Sequence, residues 1–391
     1  MREDDMRVWD RRCVNRRDVL RAGIVAGASL LVACGGDRLA TTPTAAPIAT
    51  AAPTAAPIAT ATTTTTTAAT TRAATVVAAP AAPTPPSLAG RPLLVYSGRN
   101  EKLVRPIIER FAAATGARVQ VRYGETPELA ALIIEEGGNT PADVYFVQDA
   151  GALGAVSAEG RLAKLSASIL GRVDARFRSD RDDWVGMTGR ARVFAYNTRE
   201  YTPEALPDDI EGLTDPKFRG RVGWSPTNAP FQAMLTAHRV VKGDAATSRW
   251  LAAMRANDAK TYRDNDPLVD AIGKGEVGIG LINHYYLFNF LKERGEGFPV
   301  RNYHPRGGGP DAFLNVTGAG VLDVTKNREA AEAFVAYMLS AEAQQYFTNE
   351  TSEYPLVPGV VTNPILTPLT QVKLPALDLN QLKDLRGTLV I

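Results

Sequence analysis

Two adjacent tyrosines, Tyr285 and Tyr286, are the residues whose type and spacing point most directly to metal chemistry. They follow Asn283 and His284, at the end of the apolar stretch 277–282. Two neighbouring phenol oxygens are hard donors with an ordinary pKa of about 10, so a bound cation must displace the protons. Ferric iron, a hard trivalent cation, is strong enough to do this. Alternatively, the two rings simply pack, and their hydroxyl groups find partners at the protein surface.

A ferric ion held by two phenolates keeps one positive charge and needs further ligands, either a protein carboxylate or a small anion. Thr227, Asn228 and Ala229 precede a predicted helix, where free backbone N–H groups favour an anion. Arg99 and Arg190 carry the forked guanidinium that binds carbonate or phosphate through two hydrogen bonds. Either arginine could instead pair with a carboxylate at the surface or between two parts of the fold.

These residues lie in a segment, 91–391, where strand patterns alternate with helix patterns. Residues 93–96 and 119–123 read as strands, and between them Val104, Ile107 and Phe111 mark one face of a helix. Further strands are predicted near 143–147, 192–196, 221–224 and 277–282, with helices near 129–133, 232–241, 248–255, 287–293 and 328–347. This alternation predicts a mostly parallel sheet in two α/β lobes. The tyrosine pair then lies beyond the carboxyl end of a strand, where open α/β sheets bind ligands.

The composition excludes several classes of protein. Lys and Arg total 44 against 42 Asp and Glu, which argues against an electrostatic nucleic-acid binder. Two cysteines exclude a disulfide-stapled scaffold, and three histidines leave little room for an imidazole-rich metal site. The body has no Gly-x-Ser-x-Gly, Walker or His-Glu-x-x-His motif, so we expect that it is not an enzyme.

Residues 1–33 are predicted to be a signal peptide. Arg16 and Arg17 precede the apolar run 22–33 and resemble a twin-arginine export signal, although Sec export stays open. The run is too short to span a bilayer as a helix. It ends in a sequence that resembles a lipobox, so we expect Cys34 to be lipidated and to become the new N-terminus. The alternative is a chance cysteine in an apolar helix.

Residues 34–90 form the predicted tether. Most of this segment is Ala, Thr and Pro, which offers too little large apolar surface to offset the entropy of folding, so we expect it to be disordered. A lipid anchor with such a stalk would hold the body at the outer face of the bacterial cytoplasmic membrane.

The body resembles the ferric-ion-binding substrate-binding proteins of bacterial ABC importers, a bilobal family related to transferrin lobes. The matching segments are 93–99 (LLVYSGR), 141–145 (PADVY), 190–193 (RARV), 220–224 (GRVGW), 316–320 (VTGAG) and 353–356 (EYPL). The resemblance implies an α/β fold of the type II periplasmic binding proteins, with two lobes, hinge strands and a ligand cleft between the lobes. We expect lobe 1 at about 91–190 and 305–350, lobe 2 at about 195–300, and the C-terminal segment 351–391 packed on the lobes.

The resemblance also implies a binding site. The family's tyrosine pair falls on Tyr285 and Tyr286, and its anion-contacting asparagines fall on Asn265 and Asn283. Family members often have a histidine and an acidic residue as further ligands. Those two positions hold Asn100 and Gln148 here, which predicts that an exogenous carbonate, phosphate or citrate completes the site. Other expected cleft residues are Tyr145 and His304.

The function implied is capture of ferric iron, Fe³⁺, with a synergistic anion and its delivery to an ABC permease and ATPase. The partners would be these subunits and, through the lipid, the membrane, with no nucleic acid, and the protein would be a monomer. The alternative keeps the fold and changes the cargo to a small organic anion or phosphonate. A surface enzyme or a structural adhesin on a stalk would be a different class of function.

Overall fold

The computed structural model describes residues 86–391. The predicted signal peptide, Cys34 and most of the predicted tether lie outside the described residues. Within residues 86–391, the strands are β1 Pro92–Ser97, β2 Arg118–Tyr123, β3 Val144–Val147, β4 Leu162–Ala163, β5 Trp184–Asn197, β6 Val222–Trp224, β7 Lys260–Thr261, β8 Ile279–Asn283, β9 Val300–Tyr303, β10 Leu314–Leu322 and β11 Tyr354–Pro355. The α-helices are α1 Glu101–Thr115, α2 Thr126–Glu136, α3 Ala150–Ala158, α4 Ala167–Leu170, α5 Ala229–Lys242, α6 Asp244–Ala256, α7 Asn265–Lys274, α8 Tyr285–Arg294, α9 Arg328–Met338, α10 Ala341–Glu350 and α11 Leu385–Leu389.

One long strand, β5, is shared by two halves of the sheet. The strand order is β2-β1-β3-β10-β5-β8-β6-β7, with β4 beside β10 and with β9 and β11 beside β5. Residues 184–191 of β5 pair with β10 and β11, whereas residues 192–197 pair with β8 and β9. We name lobe 1 the half with β1–β4, β10, β11, α1–α4, α9 and α10. Lobe 2 is the half with β6–β9 and α5–α8, so β5 crosses from one lobe to the other.

The sheet is mixed, which corrects the expectation of a mostly parallel sheet. Parallel pairing holds within each lobe, among β1, β2 and β3 and among β6, β7 and β8. Strand β10 is antiparallel to β3 and β5, and β5 is antiparallel to β8 and β9. The chain leaves lobe 1 along β5 and returns along β10, so these two connecting strands must run in opposite directions.

Helix α1 shows how local sequence sets the elements of lobe 1. Its cap residue Asn100 accepts a hydrogen bond from the Lys102 backbone N–H at 3.0 Å, and Gly116 ends the helix in the left-handed region. The predicted face is buried, with Phe111 at an edge-to-face angle to Phe334 of α9 and 5.3 Å between ring centroids. The periodicity of the sequence therefore located this helix and its packing.

Several helices differ from the sequence prediction, which also omitted α4, α7 and α11. The predicted helix 328–347 is broken into α9 and α10, because the Ser340 hydroxyl accepts a hydrogen bond from the Ala343 N–H at 3.2 Å and caps a new helix. Helix α3 was not predicted at all. Its sequence, AGALGAVSA, is small and buried on nearly every side, so it shows no amphipathic period.

The C-terminal segment contacts both lobes. Lys383 lies against Gly154 of α3, where an added Cβ would come within 3.3 Å of the lysine side chain. Arg239 of α5 donates a hydrogen bond to the Asp384 carbonyl oxygen at 3.1 Å. The hydroxyl groups of Thr236 and Thr388 lie 2.7 Å apart. These contacts join α3 of lobe 1 to α5 of lobe 2 through the chain's last residues.

Candidate metal centre

The tyrosine pair forms the first turn of α8, one residue after β8 ends. The two rings stack, with 4.6 Å between centroids and 26° between planes. Tyr285 is 8 % exposed and Tyr286 is partly buried. Burial first, and then the neighbouring Tyr285, raise the pKa of Tyr286 well above its ordinary value of 10.0. Tyr286 therefore stays protonated at neutral pH unless a cation displaces the proton.

Arg192 of β5 lies beside the tyrosine pair, and sequence reasoning missed it. It pairs in register with Asn283 of β8, and its Nη1 donates a hydrogen bond to the Asn283 Oδ1 at 3.1 Å. The residue is 2 % exposed, and its Nε and Nη2 have no acceptor among residues 86–391. Burial lowers the pKa of Arg192 to about 10, against the attraction of Tyr286 and Tyr285. The guanidinium is therefore still charged at neutral pH beside the two tyrosines.

Arg190, which was predicted to bind an anion, lies two residues before Arg192 on the same strand. The alternation of side chains along a strand directs residues i and i+2 to the same face, which is the signal that could have found Arg192. Arg190 is 1 % exposed, and its Nε and Nη1 have no acceptor among the described residues. The repulsion between the two arginines also lowers the pKa of Arg192. Two buried guanidinium groups thus lie together, and each has N–H groups without an acceptor among the described residues.

Arg99, the other predicted anion-binding arginine, is paired with Glu353 in a buried ion pair. Glu353 also accepts hydrogen bonds from Thr188 of β5 and from Thr317 of β10, the latter at 3.2 Å. Burial alone would raise the pKa of Glu353, but Arg99 and Arg190 outweigh it, so the pKa is lowered. The Arg99 charge is therefore already compensated within the protein, although its Nε has no acceptor among the described residues.

The lobe 1 wall of the cleft is the start of α3. Asp149 caps this helix by accepting a hydrogen bond from the Ala152 N–H at 2.9 Å, and it accepts another from the Asn315 Nδ2 at 2.7 Å. Burial raises the pKa of Asp149, while Asn315, Ala152 and the nearby Arg190 act in the other direction. Gln148 and Asp149 line a small cavity of about 70 Å³ whose opposite side includes Ala229 at the start of α5. The cavity lies between the lobes.

The lobe 2 wall is built from asparagines around the start of α5. Asn228 occupies the cap position of α5, and its Nδ2 donates to the Asp264 Oδ1 at 3.0 Å. The Nδ2 of the buried Asn265 donates to the Asn228 Oδ1 at 3.1 Å, and Asn265 acts to lower the pKa of Tyr286, against the effect of burial. Thr227 is exposed beside this network. The predicted residues Asn228, Ala229 and Asn265 thus lie along the wall that leads to the tyrosines.

Three further predicted residues, Asn100, Tyr145 and His304, have their contacts elsewhere in the structure. Asn100 is exposed and caps α1 with its side-chain oxygen, because it directly precedes that helix. Tyr145 is fully buried in lobe 1, and its hydroxyl donates to the Thr126 carbonyl at 2.8 Å. His304 lines a separate cavity of about 280 Å³ together with Tyr354, because residues 301–304 run along the far side of α8.

Two further features of the described residues bear on the site: the length of their apolar helices and the grouping of their metal-binding side chains. Across residues 86–391, no helix is both long and apolar enough to cross a membrane. The same residues hold no group of three or more His, Cys, Asp or Glu side chains placed to bind a metal ion. Within this part of the chain, the metal hypothesis therefore rests on the phenol oxygens.

Comparison with known proteins decides the family. The family model described as bacterial extracellular solute-binding protein matches residues 106–373. The chain belongs to this family. The Fe(3+)-binding periplasmic protein of Serratia marcescens is 32% identical to this solute-binding protein over 298 residues, which cover 76% of this chain and 88% of that protein. The major ferric iron-binding protein of Neisseria meningitidis is 32% identical over 306 residues, which cover 76% of this chain and 90% of that one.

Solved structures of similar proteins have the same fold. Iron-bound HitA from Pseudomonas aeruginosa superposes on this solute-binding protein with a TM-score of 0.73 and 33% identity, covering 77% of this chain and 97% of that one. The Trichodesmium protein IdiA (FutA), solved with iron and citrate, gives a TM-score of 0.68 at 28% identity and covers 76% of this chain and 98% of that one. The predicted family and the predicted type II periplasmic-binding fold are therefore confirmed.

Proposed function

We propose that this solute-binding protein captures ferric iron with a synergistic anion in the cleft and delivers it to the permease of a bacterial ABC importer. The observation that carries the proposal is the stacked tyrosine pair beside two buried arginines, each with side-chain N–H groups that have no acceptor among residues 86–391. Relatives that cover most of the body are named as ferric iron-binding proteins, which supports iron as the cargo.

Tyr285 and Tyr286 would bind the metal as phenolates. Their two negative charges leave one positive charge on the ferric ion, and Arg192 stabilises the phenolates from the hinge strand. Because the pKa of Tyr286 is raised, its proton must leave as the metal enters. The site therefore favours a strongly polarising trivalent ion over a divalent ion, which displaces phenol protons poorly.

The synergistic anion would be carbonate, phosphate or citrate, held by N–H groups that have no acceptor among residues 86–391. Arg190 and Arg192 supply guanidinium donors, and the Ala229 backbone N–H at the start of α5 adds another. Asn265 and Asn283 orient this wall. Arg99 would contribute less than Arg190, because Glu353 already compensates its charge.

The same proposal includes the cellular setting. The signal peptide 1–33 would direct export, and a lipid on Cys34 would hold the protein at the outer face of the cytoplasmic membrane. Relatives are named as periplasmic binding proteins, which supports export and a role in binding rather than in catalysis. The protein would act as a monomer that presents its two lobes to the permease and its ATPase.

The test is titration of metal-free protein with ferric iron and bicarbonate, followed by absorption spectroscopy. We expect a visible phenolate-to-iron charge-transfer band that Tyr285→Phe and Tyr286→Phe each weaken or abolish. Tyr303→Phe is the matched control, because Tyr303 is another buried tyrosine of lobe 2 whose hydroxyl bonds to Asp208 at 3.3 Å instead. A colourless wild type, or tyrosine variants with unchanged iron affinity, would contradict the proposal. Calorimetry with anions or phosphonates alone tests for an organic cargo.

A further inference from the structure

We infer that His284 is a positioning residue that ties the tyrosine helix to the hinge and to lobe 1. It lies between β8 and α8, directly before Tyr285, and has no role among the metal or anion ligands. The inference rests on the proposed function, since it concerns how the protein holds the same tyrosine pair. His284 itself contacts residues that lie outside the cleft.

Every polar group of His284 has a partner in another chain segment. The residue is 0 % exposed. Its ring Nδ1 accepts a hydrogen bond from the Ala191 backbone N–H of β5 at 3.1 Å, so the other ring nitrogen carries the proton. This Nε2–H donates to the Ser352 carbonyl oxygen at 2.7 Å. Its backbone N–H donates to the Ala191 carbonyl at 3.0 Å, and its carbonyl accepts from the Asn302 Nδ2 at 2.8 Å.

The imidazole also fixes the rings on both sides of it. It meets Tyr285 edge to face, with 5.7 Å between centroids and 84° between planes. On its other side it lies against Tyr354 of β11 at 4.9 Å. A lobe 2 tyrosine and a lobe 1 tyrosine are therefore in contact with one imidazole, and movement of either lobe changes the packing of Tyr285.

Ser352 connects this imidazole to the buried ion pair of lobe 1. Ser352 has a φ of 54°, a left-handed conformation that is uncommon for a residue other than glycine. The next residue is Glu353, which binds Arg99 as well as Thr188 and Thr317 of the two connecting strands. Ser352 and Glu353 thus link the tyrosine helix to Arg99 in lobe 1. Ser352 accepts a hydrogen bond from His284, and Glu353 pairs with Arg99.

The arrangement makes the His284–Ser352 bond a contact between the lobes beside the hinge. A movement that separates α8 from residues 352–354 must break it, and with it the contact that holds Tyr285 in place. Without the bond, the tyrosine pair is less constrained relative to lobe 1. Bound iron is then expected to leave faster, while the atoms that coordinate it are unchanged.

Two substitutions separate the two ring nitrogens. His284→Asn places an amide near the Nδ1 position and is too short to reach Ser352, whereas His284→Gln keeps a donor near the Nε2 position. In full-length protein titrated with ferric iron and bicarbonate against a competing aminocarboxylate chelator, we expect His284→Asn to weaken iron affinity about tenfold, mainly through faster release. We expect His284→Gln to recover most of this loss, to within about threefold of wild type. The charge-transfer band should keep its position in both variants, because the ligands are the same.

The matched control is His238→Asn. His238 is the other histidine with no exposed surface, and it also has two side-chain partners, Thr247 at 2.8 Å and Glu211 at 3.2 Å. His238→Asn should lower the melting temperature about as much as His284→Asn does, and it should leave the rate of iron release unchanged. Equal release from wild type and His284→Asn, or equal acceleration by His238→Asn, would overturn the inference. A wild type that binds no ferric iron would instead refute the proposed function.

Discussion

Arg99 and Arg192 are both almost fully buried near the hinge, yet their surroundings differ. Arg99 has a buried carboxylate, Glu353, and that carboxylate is itself held by threonines of both connecting strands. Arg192 has one asparagine oxygen, an arginine neighbour and two neutral phenols. Leaving a buried charge without a partner destabilises a fold by several kcal/mol, so Arg99 is suited to stability and Arg192 to an incoming negative charge.

The difference teaches how the same residue type serves structure at one place and, in the proposed function, binding at another. The Arg99 charge is compensated by the fold itself. The Arg192 charge is compensated only when the tyrosines lose their protons or an anion enters. A protein that evolved only for stability would replace Arg192 by an apolar residue, since apolar replacements of buried ions are often neutral or stabilising.

The largest effect is expected from Glu353→Gln, which removes the charge that compensates Arg99. The uncompensated buried arginine should lower the free energy of unfolding of the metal-free protein by about 3–5 kcal/mol. Urea denaturation followed by circular dichroism would measure it. The control is Glu332→Gln, which removes a partly exposed partner of Arg328 and should cost less than about 1 kcal/mol. Equal losses in the two variants would remove the contrast between the arginines.

A smaller effect on stability and a large one on binding are expected from Arg192→Met. Metal-free protein should be as stable as wild type or more stable, because an unpaired buried charge is removed. Ferric affinity should fall about 100-fold, roughly 2.7 kcal/mol, since the phenolates lose their nearest cation. Competition with an aminocarboxylate chelator, which is not among the proposed co-ligands, would measure the affinity.

Arg172→Met is the control for that variant. Arg172 is a partly buried arginine of lobe 1 that donates to the Ala336 carbonyl at 2.9 Å, and its loss should leave iron binding unchanged. If Arg192→Met destabilised the metal-free protein as strongly as Glu353→Gln, Arg192 would be a structural residue like Arg99.

The smallest effect concerns Asp311, a buried carboxylate whose two oxygens have no partner among residues 86–391. Burial raises the pKa of Asp311 to about 7. Because the folded-state pKa lies above the unfolded value, the contribution to stability is full below about pH 4 and is lost as the pH rises through 7. Wild type should therefore lose about 2 kcal/mol more than Asp311→Asn between pH 5 and pH 9. If the free energies of unfolding of the two proteins changed by the same amount with pH, Asp311 would not have the raised pKa.

The two predicted arginines and the tyrosine pair show how far sequence reasoning reached. The sequence pattern predicted that Tyr285 and Tyr286 lie at the edge of the sheet, because a strand followed directly by a helix puts the first turn of that helix there. Arg190 and Arg99 were equally suspected, but their different partners come from residues far away in the chain, such as Glu353. Arg192 was missed although it lies two residues from Arg190. Helix α3 was missed because a helix buried on all sides has no polar face to mark it.

The sequence by itself determined the α/β class, the family and the adjacent pair of tyrosines after a strand, because hydrophobic periodicity and local motifs are properties of neighbouring residues. Tertiary structure alone decided which arginine has a carboxylate and which lies beside the phenols. It also brought His284 of lobe 2 within hydrogen-bond distance of Ser352. The reason is physical: whether a buried charge is compensated depends on residues separated by hundreds of positions, and β5 and β10 bring them together only when both lobes are folded.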